Sequence, residues 1–568
     1  MPQTGEAFDL VSRSLGALPI INRFIARLQL QSLLQCRLEP SGSRCKIPAP
    51  QLLLVLLRNL VVSRVPLYSL AEWARPMMPE AVGLSCDQVG ALNDDRVGRA
   101  LDALFDCDRQ ALLLDFVLRL VREFRINLAE LHNDSTSLTL QGQYRQGDGR
   151  RVRGKPILRV TFGYNKDHRP DLKQLLWILT ISNDGAVPVH FKVADGSIED
   201  SSTHLETWKL LRGLVGSPRF LYVADSKLCT GENLRYIAHE QGAFITVLPQ
   251  SRKEDTLFRE WLSSHDPPWQ EVARLLRPGQ PLDEADVIQA IESPIPEANG
   301  FRLLWFLSSR KRQHDAEMRQ DALLRAVKEL EKLKARLEGP RCRIKHRRLV
   351  TDAVEKILEL NGCQLWIDYT VDRTHQLTWR HETRKTRDTR IKRCIGSILR
   401  FELAWTFNQE NMRKDSRCDG ISPLVTNRQD LSPLQIYSAC HRNHSFLELR
   451  HDLLKNTLQV VPAYIHNVDR LEAFLFLEYL AITIHALVER QLRQEMRRRR
   501  LDEVPLYPEA RECRAPTAAR LFDVFEHLAV HDLIAEGKII QRFQPKLNQL
   551  QLDMLELLGL PAEIYSAA

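Results

Sequence analysis

The sequence predicts an α/β protein: a helical N-terminal domain, a mixed sheet flanked by helices, a large β-containing insertion and a helical C-terminal tail. In residues 1–125, apolar side chains recur at spacings of three and four, which is typical of amphipathic helices. Near Ile126 the period becomes two, with Thr136 and Leu138 on one face of a strand and Ser137 on the other. The order that follows, hairpin, helix, strand, helix, strand, predicts helices crossing over a sheet.

Turn and capping residues mark individual elements. Asn183, Asp184 and Gly185 separate QLLWILTIS from AVPVHFKVADG, and an Asp-Gly pair between two such runs predicts a β-hairpin. Residues 432–435, SPLQ, form a capping box with proline at the first helical position. We therefore expect one long helix from there to about Asn456.

At roughly 150 residues per domain, the length of 568 residues predicts about four units. A charged helix is expected over Gln313–Leu337, because leucines recur there every seven residues, which suits a helical hairpin or a coiled-coil arm. The predicted organisation is an N-terminal helical domain (1–125), the first part of a core (126–250), an insertion (251–418), the second part of the core (419–490) and a helical C-terminal region (491–568).

Composition limits the class of protein. Eleven cysteines occur singly, with no C-x-x-C pair, which argues against a disulfide framework. The N-terminus has no uninterrupted apolar segment of the signal-peptide kind, so a cytoplasmic location is expected. Two apolar stretches, from Leu52 and from Ala473, are too short or too interrupted by charge to span a membrane and are predicted to be buried helices.

The net charge of +8 is small for the chain's length, but the positive charge is concentrated in a few runs. These runs are Arg341–Arg348, Arg380–Arg393 and Arg497–Arg500. They could be solvated charged faces, but few acidic residues balance them, which favours contact with a polyanion such as DNA.

The predicted long helix carries a polar face. At 100° per residue, five side chains fall within one arc of roughly 80°: His441, His444, Glu448, His451 and Lys455. A solvated face is the simpler interpretation of the helix by itself. A carboxylate flanked by cations is also a pattern found in catalytic sites.

Two further carboxylates accompany Glu448. Asp134 opens a polar Asp-Ser-Thr-Ser cluster beside a predicted strand, and Asp225 ends the apolar strand FLYVA, where open α/β sheets place their ligands. Three acidic oxygen donors suit two Mg²⁺ ions. Such a pair can activate a nucleophile and stabilise the leaving oxygen in an in-line phosphodiester displacement.

Several motifs resemble those of a known family. They are HNDSTS, GYNKDHRPDLKQ, VADSKL, DGISPLVTN, and a glutamate followed seven residues later by Lys455. In this order they resemble the DDE transposases of bacterial insertion sequences, within the insertion sequence 4 superfamily and its family 1634-like branch. The YPEARECRAPTAARLFDVFEHL and LVERQLRQEM segments extend the resemblance over nearly the whole chain.

The resemblance implies an RNase H-like catalytic core with Asp134, Asp225 and Glu448 as catalytic residues and metal ligands. It implies two Mg²⁺ ions, with Mn²⁺ as a substitute, and cleavage of transposon ends followed by strand transfer into target DNA. The implied partners are double-stranded DNA, bound at its ends by the N-terminal domain, and a second copy of the chain in a homodimeric synaptic complex. The implied location is the bacterial cytoplasm, with the nucleoid.

The motif around Glu448 departs from the superfamily pattern, in which Tyr and Arg precede the glutamate. Here His441 and His444 stand in those two positions, and Glu448 and Lys455 are retained. The DNA-phosphate contacts predicted on this basis are Lys455, Arg450, His444, His441 and Lys227.

Other interpretations remain open. His441, His444 and Glu448, with Cys440 and Cys418 near in sequence, have the residue types of a zinc or iron site but lack the H-E-x-x-H order. Asp134 could be a turn residue and Lys227 an ordinary surface lysine. The alternative function is a catalytically inactive DNA-binding protein of the same descent.

Overall fold

The computed structural model describes most of the chain. The described residues are 8–40, 42, 45–145, 147–163, 166, 169–276, 281, 284–339, 342–383, 390–442, 444–460, 465–507, 509, 511–536 and 538–566. Within these ranges the side chains of 200, 380–383, 390–393, 442, 444 and 456–460 lie outside the description. The chain forms two compact units, one of residues 1–246 with 438–568 and one of residues 247–437.

The N-terminal part of the first unit is mostly helical, as predicted. Its helices are α1 (Leu18–Arg27), α2 (Leu30–Arg37), α3 (Ala49–Val62), α4 (Leu70–Ala74), α5 (Pro79–Val82), α6 (Cys86–Val89), α7 (Asp94–Asp106) and α8 (Arg109–Phe124). A strand that the sequence did not predict, β1 (Asp9–Ser14), precedes them and pairs antiparallel with a C-terminal strand, Ala529–Ala535. The purely helical prediction for residues 1–125 is wrong at this strand, because its pairing partner lies more than 500 residues away.

The predicted α/β layer follows. Its elements are β2 (Glu130–Leu140), β3 (Arg151–Val152), β4 (Lys155–Pro156), β5 (Lys173–Ser182), β6 (Pro188–Asp195), α9 (Asp200–Val215), β7 (Leu221–Ala224), α10 (Gly231–His239) and β8 (Ala243–Val247). The sheet order in this unit is β6-β5-β2-β7-β8. Strands β6, β5 and β2 are antiparallel, whereas β2, β7 and β8 are parallel. The prediction of a mixed α/β sheet is confirmed.

Strand β2 is more buried than its sequence predicts. Alternation led us to expect one solvent-facing side, but both Ser137 and Leu138 are buried, as are Thr136 and Leu140. Strand β5 and strand β7 pair with the two edges of β2, and the buried side chains on both sides of the strand show that its two faces are covered as well. A Ser/Thr-rich strand tolerates this position because each hydroxyl can donate and accept hydrogen bonds.

The second unit also combines helices and strands. Its elements are α11 (Lys253–Ser264), β9 (Gln270–Leu275), β10 (Asp286–Glu292), β11 (Arg302–Ser308), α12 (Ser309–Glu338), α13 (Arg347–Asn361), β12 (Ile367–Thr383), β13 (Arg390–Phe407), α14 (Gln409–Ser416) and β14 (Ile421–Thr426). Within the unit, β14, β11, β10 and β9 pair in that order, all antiparallel. The unit extends beyond the predicted 251–418 and takes in β14.

Helix α12 corresponds to the predicted charged helix. Its stripe of Ala326, Leu330 and Leu337 packs against Val354 and Leu358 of α13, forming the helical hairpin that the leucine spacing suggested. Burial of this one apolar stripe stabilises a helix whose remaining surface is charged.

The rest of the first unit combines helices and strands. Helix α15 (Pro433–Arg442) spans the boundary between the two units along the chain, since the second unit ends at Tyr437. The elements that follow it are α16 (His444–Val460), α17 (Val468–Arg499), β15 (Val504–Tyr507), β16 (Arg511–Cys513), α18 (Ala518–Asp523), β17 (Ala529–Ala535), β18 (Lys538–Phe543) and α19 (Gln549–Leu557). The predicted all-helical tail is therefore corrected by four strands. The SPLQ capping box is present, with Ser432 and Gln435 bonded reciprocally. The helix predicted as one is described as two, α15 and α16, on either side of Asn443, which lies outside the described residues.

Helix α17 is a mostly buried helix of 32 residues in the first unit. Among the described residues it is long and apolar enough to cross a membrane, and one bent pair, Ala49–Val62 with Leu67–Ala74, passes the same test of length and composition. The apolar window of α17 is completely buried inside the protein, as in the core helix of a globular fold. The expectation that charge in the stretch from Ala473 makes it unable to span a membrane is therefore wrong by length and composition. The prediction that this stretch and the one from Leu52 are buried helices is confirmed.

Candidate functional site

Two of the three predicted carboxylates are brought together by strand register. In the parallel pair of β2 and β7, Asn133 is the partner of Ala224. An aspartate follows each of these partners: Asp134 is the next residue of β2, and Asp225 comes directly after the last residue of β7 in an extended conformation. Parallel neighbouring strands lie about 4.8 Å apart, so the two carboxylates stand side by side.

The end of β7 is held by hydrogen bonds around Asp225. Its carboxylate accepts a bond from the backbone N–H of Lys227 at 3.1 Å. Its backbone carbonyl accepts a bond from the hydroxyl of Thr246, on β8, at 2.6 Å. These bonds fix both the main chain and the side chain of Asp225 where the strand gives way to a loop.

Three groups able to carry positive charge approach the aspartate pair. Lys166 Nζ lies 3.8 Å from one oxygen of Asp134, and His451 Nδ1 lies 3.8 Å from the other. His204 Nε2 lies 3.9 Å from Asp225, and the other ring nitrogen of His204 bonds the Tyr222 hydroxyl at 3.0 Å. The carboxylates are therefore surrounded by cations and imidazoles.

Lys166 is anchored to β2 through Ser135 and Ser137. Its ammonium donates to the backbone oxygen and to the hydroxyl of Ser135. Its backbone N–H donates to the hydroxyl of Ser137 at 3.2 Å. The serines of the Asp-Ser-Thr-Ser cluster thus position a lysine beside Asp134.

The pKa of Asp225 reflects the charged groups that lie close to it. Burial raises the pKa of Asp225 above its ordinary value, and the neighbouring charge of Asp134 raises it further. His204 and Lys166 act in the opposite direction and lower it. Two adjacent carboxylates disfavour each other's ionisation, and a cation placed between them would favour it.

Glu448 lies on α16, the helix that contacts the aspartate pair. It precedes His451 by three residues, and residues three apart lie on the same face of a helix. The Glu448 side chain is exposed. Among the described residues, no three His, Cys, Asp or Glu side chains form a group that could already hold a metal ion. Completion of the site by Glu448 therefore stays a prediction.

One predicted phosphate contact is corrected. Arg450 is completely buried, and its guanidinium bonds the carboxylate of Glu489 at 2.7 Å. A buried, paired guanidinium is not available to DNA. The helix that exposes Glu448 points Arg450 in a different direction, into the core against α17.

The remaining predicted contacts are placed as follows. Lys455 is half-buried on α16, His441 is exposed on α15, and Lys227 is exposed two residues after Asp225. The side chain of His444 lies outside the described ones. Their role in binding phosphate stays a prediction.

The alternative zinc or iron site gains no support from Cys440. Burial raises the pKa of its thiol to about 12. Because the thiolate is the form that binds metal, such a thiol is a poor ligand in this state.

The sequence interpretation missed two of the residues at this site and the contact that a third one makes. Lys166 belongs to the GYNKDHRPDLKQ motif, so a signal was present, but nothing in the motif indicates that the lysine returns to β2. His204, near the beginning of helix α9, carried no signal. His451 was noted on the polar face of its helix, but its contact with Asp134 required the tertiary structure.

Comparison with known proteins gives two findings. Residues 10–118 match a family described as a domain of unknown function, DUF4277. A cryo-EM structure of a piggyBac transposase synaptic complex with hairpin DNA aligns at 12% sequence identity with a TM-score of 0.26. The alignment covers 52% of this chain and 59% of that one, and its TM-score is too low to establish a shared fold. A comparison with curated proteins gives no match.

Proposed function

We propose that this protein is a DNA transposase that cuts at transposon ends and joins the resulting 3′-hydroxyl to target DNA. The observation that carries the proposal is the register of β2 and β7, which places Asp134 beside Asp225. Helix α16, which carries Glu448, contacts Asp134 through His451. The ordered motifs of the sequence give further support.

The proposed core is RNase H-like and belongs to the insertion sequence 4 superfamily. Support comes from the mixed sheet, in which three antiparallel strands continue into two parallel ones. The two aspartates lie on the pair of strands where the sheet changes from antiparallel to parallel, which is a position where α/β sheets can place ligands.

The donor chemistry of the aspartate pair fits Mg²⁺, which is commonly held by one or two carboxylates together with phosphate and water. In the proposed site Asp134, Asp225 and Glu448 would together hold the two ions. When bound, the ions would supply activation of the attacking oxygen and stabilisation of the leaving oxygen.

The chain's own groups would bind and orient the DNA. Lys455, one turn beyond His451 on α16, is proposed to hold a backbone phosphate. The exposed basic residues Arg343, Lys345 and Arg347 offer a second cationic surface. The proposed partners are double-stranded DNA and a second copy of the chain in a synaptic complex in the bacterial cytoplasm.

The test is strand cleavage of plasmid DNA that carries the sequences flanking the gene, in Mg²⁺ or Mn²⁺. Asp134→Ala, Asp225→Ala and Glu448→Ala are each expected to abolish cleavage and to leave DNA binding intact. Asp452→Asn is the matched control, because Asp452 is an exposed carboxylate on the same helix. Undiminished cleavage by any of the three alanine variants would reject the proposed site. DNA binding by the wild type without nicking in either metal would support the non-cutting alternative.

A further inference from the structure

Strands β12 and β13 form a two-stranded ribbon in the second unit. They pair antiparallel from Ile367 and Phe407 at the base to Thr383 and Arg390 at the far end. One face of the base is covered, because Val371 and Leu403 are buried in the core formed with α12 and α13. Leu399, opposite His375, is the outermost ribbon residue that packs on this core.

Beyond that point the ribbon exposes apolar side chains on both faces. Trp379 is 54% exposed and Leu377 is 51% exposed, and Ile398, which pairs with Gln376, is 45% exposed. Leu377 and Gln376 are neighbours in one strand, so Leu377 and Ile398 lie on opposite faces. The strand from Gln376 to Thr383 extends about 23 Å at roughly 3.3 Å per residue.

A bulge changes the geometry where the ribbon leaves its support. Thr378 pairs with Gly396 but Trp379 pairs with Cys394, so Ile395 is an extra residue in β13. Ile395 is 60% exposed. A bulge strengthens the local twist and redirects side chains, and bulges are common near functional sites. Trp379 and Ile395 are thus presented together at the bulge.

Charge is segregated along the same ribbon. The base, residues 367–372 and 401–407, has three acidic residues and no basic one. The distal strand segments, residues 373–383 and 390–400, have six Lys and Arg and one acidic residue. The distal half therefore carries a net charge of +5, and its positive end coincides with its uncovered apolar side chains.

We propose that the distal half of this ribbon enters a groove of double-stranded DNA, with Trp379 and Ile395 against the groove and the cations on the flanking phosphates. The major groove of B-DNA, about 12 Å wide, admits a two-stranded β-ribbon. A second copy of the ribbon is disfavoured as occupant, because two ends of the same charge repel each other. The inference rests on the proposed function in that it takes DNA as the substrate.

The test is fluorescence anisotropy of the full-length protein with a labelled duplex of random sequence at several salt concentrations. The double variant Trp379→Ala with Ile395→Ala is expected to bind about tenfold more weakly with the salt dependence unchanged, because it removes apolar contacts. Arg380→Gln with Arg393→Gln, register partners on the two strands, is expected to reduce the slope of log affinity against log salt by about 2. Leu324→Ala, an equally exposed leucine on α12, is the matched control and should change neither quantity.

Unchanged affinity in the Trp379 and Ile395 double variant would overturn the inference. Unchanged DNA affinity together with loss of self-association in light scattering would instead assign the ribbon to a second copy. The melting temperature of each variant verifies folding, and the substituted apolar side chains are exposed, so their truncation leaves the core intact. If the proposed function is wrong, the result will differ from this one. The wild-type protein would then not cleave DNA, although its binding to the duplex would still depend on the ribbon.

Discussion

Asp134 and Asp225 occupy equivalent positions on adjacent parallel strands, each one residue beyond the register partners Asn133 and Ala224. The pair is linked to α16 by His451 and to the loop before β5 by Lys166. Elements distant in sequence thus converge on two carboxylates. This convergence predicts how the site responds when one of its charges is removed.

Removal of the Lys166 charge should destabilise the protein and increase its response to Mg²⁺. In Lys166→Met the ammonium 3.8 Å from Asp134 is lost, so the two carboxylates repel each other with less compensation. We expect a melting temperature a few degrees lower without metal, and a larger rise on addition of Mg²⁺ than the wild type shows. Differential scanning calorimetry with and without Mg²⁺ measures both effects.

Lys173→Met is the matched control, because the Lys173 ammonium bonds the backbone oxygen of Gln143. Its melting temperature should respond to Mg²⁺ as the wild type does. An identical metal response in Lys166→Met and Lys173→Met would show that Lys166 does not balance the carboxylate pair.

The buried pair of Arg450 and Glu489 should be essential for stability. Burial alone would raise the pKa of Glu489, but the charge of Arg450 reverses this and holds the pKa below its ordinary value. Arg450→Met leaves Glu489 charged and buried, which costs about 3–5 kcal/mol for an interior pair. The combined change Arg450→Met with Glu489→Gln should recover part of that loss, as measured by denaturant unfolding.

The control for this pair is Arg498→Met, which breaks an exposed ion pair with Glu495. It should change the free energy of unfolding by no more than about 1 kcal/mol. If Arg450→Met folds with wild-type stability and loses affinity for DNA, the assignment of Arg450 to the core is wrong.

Stability should depend on pH through Glu478, a carboxyl in the middle of α17. Burial raises its pKa from the ordinary 4.5 to about 8, although Arg64 acts to lower it. The folded state keeps this proton up to about pH 8, whereas the unfolded chain releases it near pH 4.5. The stability contributed by this group is therefore complete below pH 4.5 and is lost as the pH rises to about 8.

Glu478→Gln removes that dependence, so its melting temperature relative to the wild type should increase steadily between pH 5 and pH 8. Glu495→Gln, on the same helix, is the control. Arg498 and Arg499 hold the pKa of Glu495 at about 2, so its contribution does not change in this range. A melting-temperature difference between Glu478→Gln and the wild type that stays constant over the range would contradict the protonated state of Glu478.

Much of the local structure could be predicted because it depends on short-range chemistry. The Asn183–Asp184–Gly185 turn connects β5 and β6 as predicted, with Gly185 at a φ of +79° that favours glycine. The longer helices of residues 18–124, which are α1, α3, α7 and α8, follow from the spacing of apolar side chains, whereas the short helices α4, α5 and α6 were not predicted. Strand β1 could not be predicted in this way, because the strand that it pairs with along its whole length lies at the other end of the chain.

The candidate site likewise combines local features, which could be predicted from the sequence, with contacts between distant segments, which could not. The sequence by itself determined the acidic residue types, the strand that ends at Asp225 and the helix that carries Glu448, since periodicity and residue chemistry are local properties. Only the tertiary structure decided that Asp134 lies beside Asp225, that Lys166 and His451 approach Asp134, and that Arg450 is buried against Glu489. Strand register and helix rotation follow from packing between distant segments, and one residue's difference in either would turn these side chains away from each other.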